Sequence, residues 1–109
     1  MATRDVFTLL ADPTRRRILE ELCAGERTVG QLVTALGTPQ PSVSKHLKQL
    51  GEADLVRARV DGPRRHYAVQ ADQLLVLDVW LAPFRRAWAD RLDDLERHLD
   101  TMDDHQEQS

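Results

Sequence analysis

A mainly α-helical fold with one β-hairpin is what this sequence predicts, and three observations predict it. Apolar residues recur at spacings of three and four through five segments of the chain. One stretch, Leu55 to Gln70, instead alternates around the turn Asp61-Gly62-Pro63-Arg64. Two short neighbouring helical segments are separated only by Gly37-Thr38-Pro39, the spacing of a helix-turn-helix. Helix-turn-helix followed by a hairpin is a winged helix.

The bulk numbers bound the answer. A chain of 109 residues fits one domain. We assign it to residues 1–102, with helices at 1–11 and 71–102 serving dimerisation and a polar, flexible tail at 103–109. The single cysteine, Cys23, excludes an intrachain disulfide or a multi-cysteine metal site, and is read as a small buried hydrophobe. No apolar run approaches the roughly 20 residues of a membrane span. No signal peptide is read at the start, so the cytoplasm is the expected compartment. The net charge of −3 is unlike that of a nucleic-acid binder, but its distribution is uneven. Residues 1–70 carry 11 Lys/Arg against 8 Asp/Glu, and residues 71–109 carry 4 against 10. Phosphate attraction is decided locally, over a Debye length of roughly 8–10 Å, so the front part is the basic partner.

The elements follow in order. Thr3 to Leu10 is a short first helix, with Thr3 as its N-cap and Asp5 in its first turn. Asp12-Pro13 starts the second, where Asp12 caps and Pro13 sacrifices no bonded N–H. Ile18, Leu19, Leu22 and Cys23 form its buried stripe, and Gly25 ends it as a left-handed cap. Arg15, Arg16 and Arg17 are read as solvated charges, with Arg16 or Arg17 near a phosphate or in an internal salt bridge as the other option. Thr28 and Gln31 make a capping box for the third helix, whose core face is Leu32, Val33 and Leu36. Gly37 stops it. Thr38 then caps a fourth helix with Pro39 as its first residue.

That fourth helix, Gln40 to Leu50, organises the rest. Val43, Leu47 and Leu50 stack on one side. Lys45 lies nearly opposite, with Ser42, Lys48 and Gln49 around the outer face. Such a helix can be seated on a core while touching an anionic surface; taken alone, it reads first as an ordinary amphipathic surface helix, and its surroundings reverse that reading. The helix frays at Gly51 to Asp54. In the hairpin, Val56, Ala58 and Val60 share one face, Tyr67 and Val69 point inward, and the tip is basic. A two-stranded hairpin is marginal in water, so it must lean on the helices. Finally, Ala71 to Met102 is a long helix, capped by Asp72, with an apolar stripe through Leu81, Phe84, Trp88, Leu92 and Leu95 and a kink or break expected before Pro83. A domain of this size cannot cover that stripe, so it is assigned to a homodimer interface together with Phe7 and Leu10 of the first helix. Folding back over its own domain is the competing arrangement.

LLADPTRRRILEEL (9–22), QPSVSKHLKQLGEADLV (40–56) and DGPRRHYAV (61–69) together resemble the ArsR/SmtB family of bacterial winged-helix repressors. WLAPFRRAW (80–88) is similar to a branch of that family with an aromatic C-terminal helix. The resemblance covers roughly residues 5–100. It implies a homodimer that binds a palindromic operator in double-stranded DNA and represses its own or a neighbouring operon until a signal releases it. By position, Gln40, Ser42, Ser44, Lys45, His46 and Lys48 fall on the recognition helix, and Arg59, Arg64 and Arg65 on the wing, residues 57–66. Chemistry agrees with this placement. Gln can read adenine, Lys can read guanine or hold phosphate, and Ser suits phosphate oxygens. One departure is Pro39, where many relatives have Ser, so a side-chain contact is lost there.

The family's Cys-x-Cys metal motif has no counterpart in ERTVGQLV (26–33). Asp94, His98, Met102 and His105 do not match the family's second metal pattern and are read as solvated, so no metal and no cofactor is assigned. An organic inducer beside Trp80, Phe84 and Trp88 and the lack of any inducer both stay open. No nucleophile–base pair, phosphate-binding Gly loop or paired carboxylates point to an enzyme. Two alternatives stand beside the repressor. One is a winged-helix protein-interaction module without DNA binding, motivated by the acidic net charge. The other is a metal-responsive sensor of the same family.

Overall fold

The computed structural model describes the backbone of residues 5–108 and the side chains of residues 5–101. The chain divides into two compact units, Met1–Val76 and Leu77–Ser109.

The first unit contains α1 (Val6–Leu10), α2 (Pro13–Cys23), β1 (Arg27–Thr28), α3 (Val29–Leu36), α4 (Gln40–Glu52), β2 (Val56–Asp61) and β3 (Arg64–Val69). A 3₁₀ turn, Ala71–Leu74, follows. The winged helix-turn-helix expected from the sequence is present. Its core takes Leu9 from α1, Ile18, Leu19 and Leu22 from α2, Leu32 and Leu36 from α3, and Val43, Leu47 and Leu50 from α4. Leu55 and Val56 close it from the start of the hairpin. Burying each such side chain contributes about 1.5–3 kcal/mol.

Capping departs from expectation at several ends. Asp5, not Thr3, caps α1, its carboxylate accepting from the Phe7 N–H at 3.3 Å; Thr3 lies outside the described residues. Asp12 caps α2 as expected, accepting from Thr14 and Arg15 at 2.8 and 3.2 Å. Thr28 and Gln31 form the full capping box. Gly37 is the left-handed cap of α3 at φ 63°. Gly25 has φ 142°, a positive value outside the left-handed helical region, so it is not a left-handed cap of that type. Pro39 itself is the N-cap of α4, with no side-chain hydrogen bond, while the Thr38 hydroxyl donates to the Leu36 carbonyl at 3.4 Å. Thr38 therefore serves the end of α3 rather than the start of α4. Asp72 sits inside the 3₁₀ turn, and α5 begins only at Leu75, so Asp72 does not cap it.

Cys23 is exposed, not buried. Ile18, Leu19 and Leu22 already fill the inward direction of α2, and Cys23 lies about 100° further round than Leu22.

The hairpin belongs to a three-stranded antiparallel sheet, order β1-β3-β2. Sequence reading missed β1 because two residues carry no alternation. Val56 faces Val69, Ala58 faces Tyr67 and Val60 faces Arg65. Val56 is buried, and Tyr67 and Val69 pack on the core. Val60 is 69% exposed, because it lies near the tip, away from the core that covers Val56. Gly62, at φ 60°, and Pro63 form the two-residue turn. Only a type II′ turn accommodates a positive φ first and a proline second.

The second unit consists almost entirely of α5 (Leu75–Gln108), which continues through Pro83 without a break. Pro83 cannot donate to the Val79 carbonyl. Arg85 reaches back two turns, donating to the Asp78 carbonyl at 2.6 Å and pairing with its carboxylate at 2.9 Å. Trp80, Phe84 and Trp88 form a ladder with ring centroids 4.8 and 6.4 Å apart. Helix is assigned as far as Gln108; the side chains expected to form the polar tail lie outside the described residues.

Candidate nucleic-acid interface

The candidate interface is built on α4, whose inner stripe of Val43, Leu47 and Leu50 is buried. With that stripe inward, the helix has two flanks and an outer face. Lys45 is exposed and points away from the core. Ser44 and Lys48 are exposed on the flank toward the hairpin, lining a cavity of about 530 Å³ with Val56, Ala58, Arg65 and Tyr67. Gln40, at the helix start, lines a second cavity of about 900 Å³ with Arg64, Arg65, His66 and Tyr67. Recognition helix and wing therefore border common concavities, and Arg65 belongs to both.

Strand alternation separates the two wing arginines. Arg65 shares its face of the sheet with Tyr67 and Ala58, the face that leans on α4. Arg64 lies on the opposite face, in register with Asp61.

Three predicted contact residues, Ser42, His46 and Arg59, and the expected outer-face residue Gln49 are placed differently. His46 and Gln49 are half-buried on the flank toward α2 rather than on the outer face. Arg15 donates from Nε to His46 Nδ1 at 3.2 Å and from a terminal nitrogen to Gln49 Oε1 at 2.7 Å. Ser42 is half-buried on the same flank. Arg59 is engaged by Glu26 through two N–H···O bonds of 3.4 and 2.8 Å. This pair holds the Glu26 carboxyl below its ordinary range and raises the Arg59 guanidinium above its own. On the same outer face, His66 Nε2 lies 3.7 Å from Asp61 Oδ2.

The arginine triplet is not a patch of solvated charge. At about 100° per residue the three side chains leave α2 in three directions. Arg15 reaches α4, Arg16 donates to the Leu10 carbonyl at the end of α1 (2.6 Å), and Arg17 donates to the Leu36 carbonyl at the end of α3 (3.1 Å). The last two supply donors to helix-terminal carbonyls, which lack intrahelical partners. Asp12 sits beside this cluster. Partial burial raises its carboxyl, but the backbone N–H groups of Arg15 and Thr14, with the Arg15 charge, outweigh that and hold it below the usual value. These ties join residues 31 and 34 apart in sequence for Arg15, so no local pattern signals them.

On α5, Phe84, Trp88, Leu92, Leu95 and Leu99 are exposed as one stripe, and Leu81 is half-buried. Phe7 is exposed and Leu10 half-buried on α1. Among the described residues, no three His, Cys, Asp or Glu side chains converge as a metal site would require. No helix among the described residues is long and apolar enough to cross a membrane.

A buried helix-turn-helix with an exposed polar second helix and a basic wing defines the winged helix-turn-helix class of regulator. Comparison with known proteins places the chain further. Residues 12–58 match the model of the bacterial regulatory protein arsR family. The chain is 31% identical over 80 residues to the transcriptional repressor SdpR of Bacillus subtilis, covering 73% of this chain and 89% of that protein. It is 42% identical over 76 residues to the HTH-type transcriptional regulator KmtR of Mycobacterium tuberculosis, covering 68% of this chain but only 58% of that relative, less than two thirds of its length. Among solved structures, the homodimeric winged helix-turn-helix DNA-binding domain Mb0332 of Mycobacterium bovis superposes with a TM-score of 0.61 at 26% identity, covering 78% of this chain and 91% of that one. The chain belongs to the arsR family of bacterial regulatory proteins.

Proposed function

We propose that this protein is a homodimeric, sequence-specific DNA-binding repressor of transcription. The observation that carries the proposal is the shared concavity in which Gln40 of α4 and Arg64 and Arg65 of the wing converge. In this arrangement α4 enters the major groove, where Gln40 and Lys45 meet base edges. Ser44, Lys48 and Arg65 hold the phosphates between helix and wing, and Arg64 reaches the flanking backbone or minor groove. The uncapped start of α4 adds backbone N–H groups suited to a phosphate oxygen. His46 and Arg59, already engaged within the protein, are supporting residues rather than contacts.

The apolar stripe of α5 supplies the dimer interface, as the homodimeric state of the M. bovis domain supports. A symmetric dimer requires a palindromic operator, its half-sites spaced by about one helical turn, roughly 34 Å. The repressor names of relatives support the direction of regulation. A small-molecule inducer remains compatible with this reading, with no residue assigned to it.

The test is binding of the folded dimer to palindromic fragments from the region upstream of its own coding sequence. Affinity should fall steeply with rising salt, as phosphate neutralisation demands. No binding at low salt, with the dimer present, rejects the proposal in favour of a protein-interaction module.

A further inference from the structure

We infer that Arg15, on α2 and outside the DNA-contacting set, is a positioning residue that fixes the rotation of the recognition helix and thereby its sequence selectivity. The inference rests on the DNA-reading role proposed above.

The helix α4 needs such a constraint. It is seated by Val43, Leu47 and Leu50, and apolar contact is non-directional. Its N-cap Pro39 makes no side-chain hydrogen bond, so no capping side chain holds that end. The directional tie lies in the middle. Arg15 grips His46 and Gln49, three residues apart on α4 and therefore on one flank, through two nitrogens of a rigid planar fork. The Arg15 backbone from which the fork springs is itself held, because its N–H is bound by the Asp12 carboxylate that caps α2. A chain of directed bonds thus runs from the start of α2 to the flank of α4. Turning α4 about its axis breaks both Arg15 bonds. It also swings Gln40, Ser44 and Lys45 away from the bases and phosphates they address.

This role separates from two others. A phosphate contact acts through charge, whereas here the fork is already occupied by neutral acceptors. A merely structural tie would affect folding without affecting which base pairs are chosen.

The experiment compares wild type, Arg15→Lys and Arg15→Gln on two duplexes of equal length. One is enriched by the wild-type protein from a random-sequence pool, and the other is a scrambled version of it. Both variants should keep wild-type affinity and salt slope on the scrambled duplex, and lose roughly tenfold or more of the preference for the enriched one. Lys keeps the charge but cannot fork, so it should not rescue. A salt slope lowered in Arg15→Gln and restored in Arg15→Lys would make Arg15 a phosphate contact and overturn the inference. Unchanged preference with lowered thermal stability would make it structural only, and would also overturn it. Should either variant fail to fold, Gln49→Met removes one acceptor with little change of volume and should weaken the preference in the same way; full preference there refutes the inference. If the wild-type protein enriches no sequence at all, the DNA-reading proposal itself is what has failed.

Discussion

Arg59 on β2 holds Glu26, the residue preceding β1, with two hydrogen bonds that span the central strand β3. The wing is thus fastened by a forked ion pair at its base, and the arginine most easily mistaken for a DNA contact is neutralised. Arg65, the second residue of β3, instead lines both concavities that α4 and the wing border. The two residues should therefore behave differently. Arg65→Ala, like Lys48→Ala, is expected to lower the salt slope of DNA binding by about one. Arg59→Ala should leave that slope unchanged. Electrophoretic or anisotropy titrations across a salt series decide it; a slope lowered equally in all three variants would return Arg59 to the contact set, and wild-type slopes in all three would remove the other two from it.

The Asp12 cap gives a stability prediction with a pH signature. Asp12→Ala removes acceptors for two N–H groups and should cost about 1 kcal/mol. The Asp12 carboxyl is held below its ordinary value of 3.8 in the folded protein. A depressed carboxyl contributes stability that is fully present above the unfolded value and lost as pH falls through the folded one. The gap between wild type and Asp12→Ala should be widest near neutral pH and close progressively below pH 3.8. Denaturant melts at pH 7 and in that acid range check this; a gap independent of pH would show that the cap acts without its charge.

Much of the fold was legible because local rules and tertiary structure agree. The capping box at Thr28, the Asp12-Pro13 start and the Gly37 stop each name a helix end from two or three residues. The stripe Val43, Leu47, Leu50 gave the inner face of α4 correctly. Of the residues placed on the outer face, Lys45 and Lys48 are exposed, while Ser42 and Gln49 are half-buried. A helical wheel shows which residues flank the stripe, but not which flank meets another helix. His46 and Gln49 were therefore misplaced, and the arginine triplet was read as surface. Thr38 and Pro39 were off by one because a proline fits both the N-cap and the first turn. The strand β1 was invisible, being defined by its pairing of Arg27 with Tyr67 and Thr28 with His66.

The end of α4 carries a strained residue that can be relieved. Asp54 has φ 60°, the only positive value among described non-glycine residues. It allows the Leu55 N–H to reach the Leu50 carbonyl at 2.9 Å and the Asp54 N–H to reach Gly51 at 3.0 Å, the two bonds of a Schellman motif. Leu50 and Leu55, the apolar pair of that motif, are both fully buried. A glycine adopts this conformation without the Cβ penalty of roughly 1–2 kcal/mol, offset in part by about 0.4–1 kcal/mol of unfolded-chain entropy. Asp54→Gly should therefore stabilise the first unit by about 0.5 kcal/mol, seen as a higher denaturation midpoint at unchanged m-value. A lower midpoint would mean that the aspartate side chain stabilises the turn.

The stripe on α5 makes the strongest demand for a partner. Trp88 is 48% exposed and Leu92 57% exposed, with Phe84, Leu95 and Leu99 on the same side at spacings of three and four. In water such a helix gains most of its stability by burying that face. Trp88→Asp places a charge in the middle of that apolar stripe. The expected outcome is dissociation to monomer by sedimentation, with loss of part of the helical circular dichroism and retention of the first unit's cooperative melt. DNA affinity should then fall by about 10²–10⁴, because two half-sites are no longer engaged together. A Trp88→Asp protein that still sediments as a dimer would place the interface elsewhere, and the second half-site would then have to be reached through another face of the first unit.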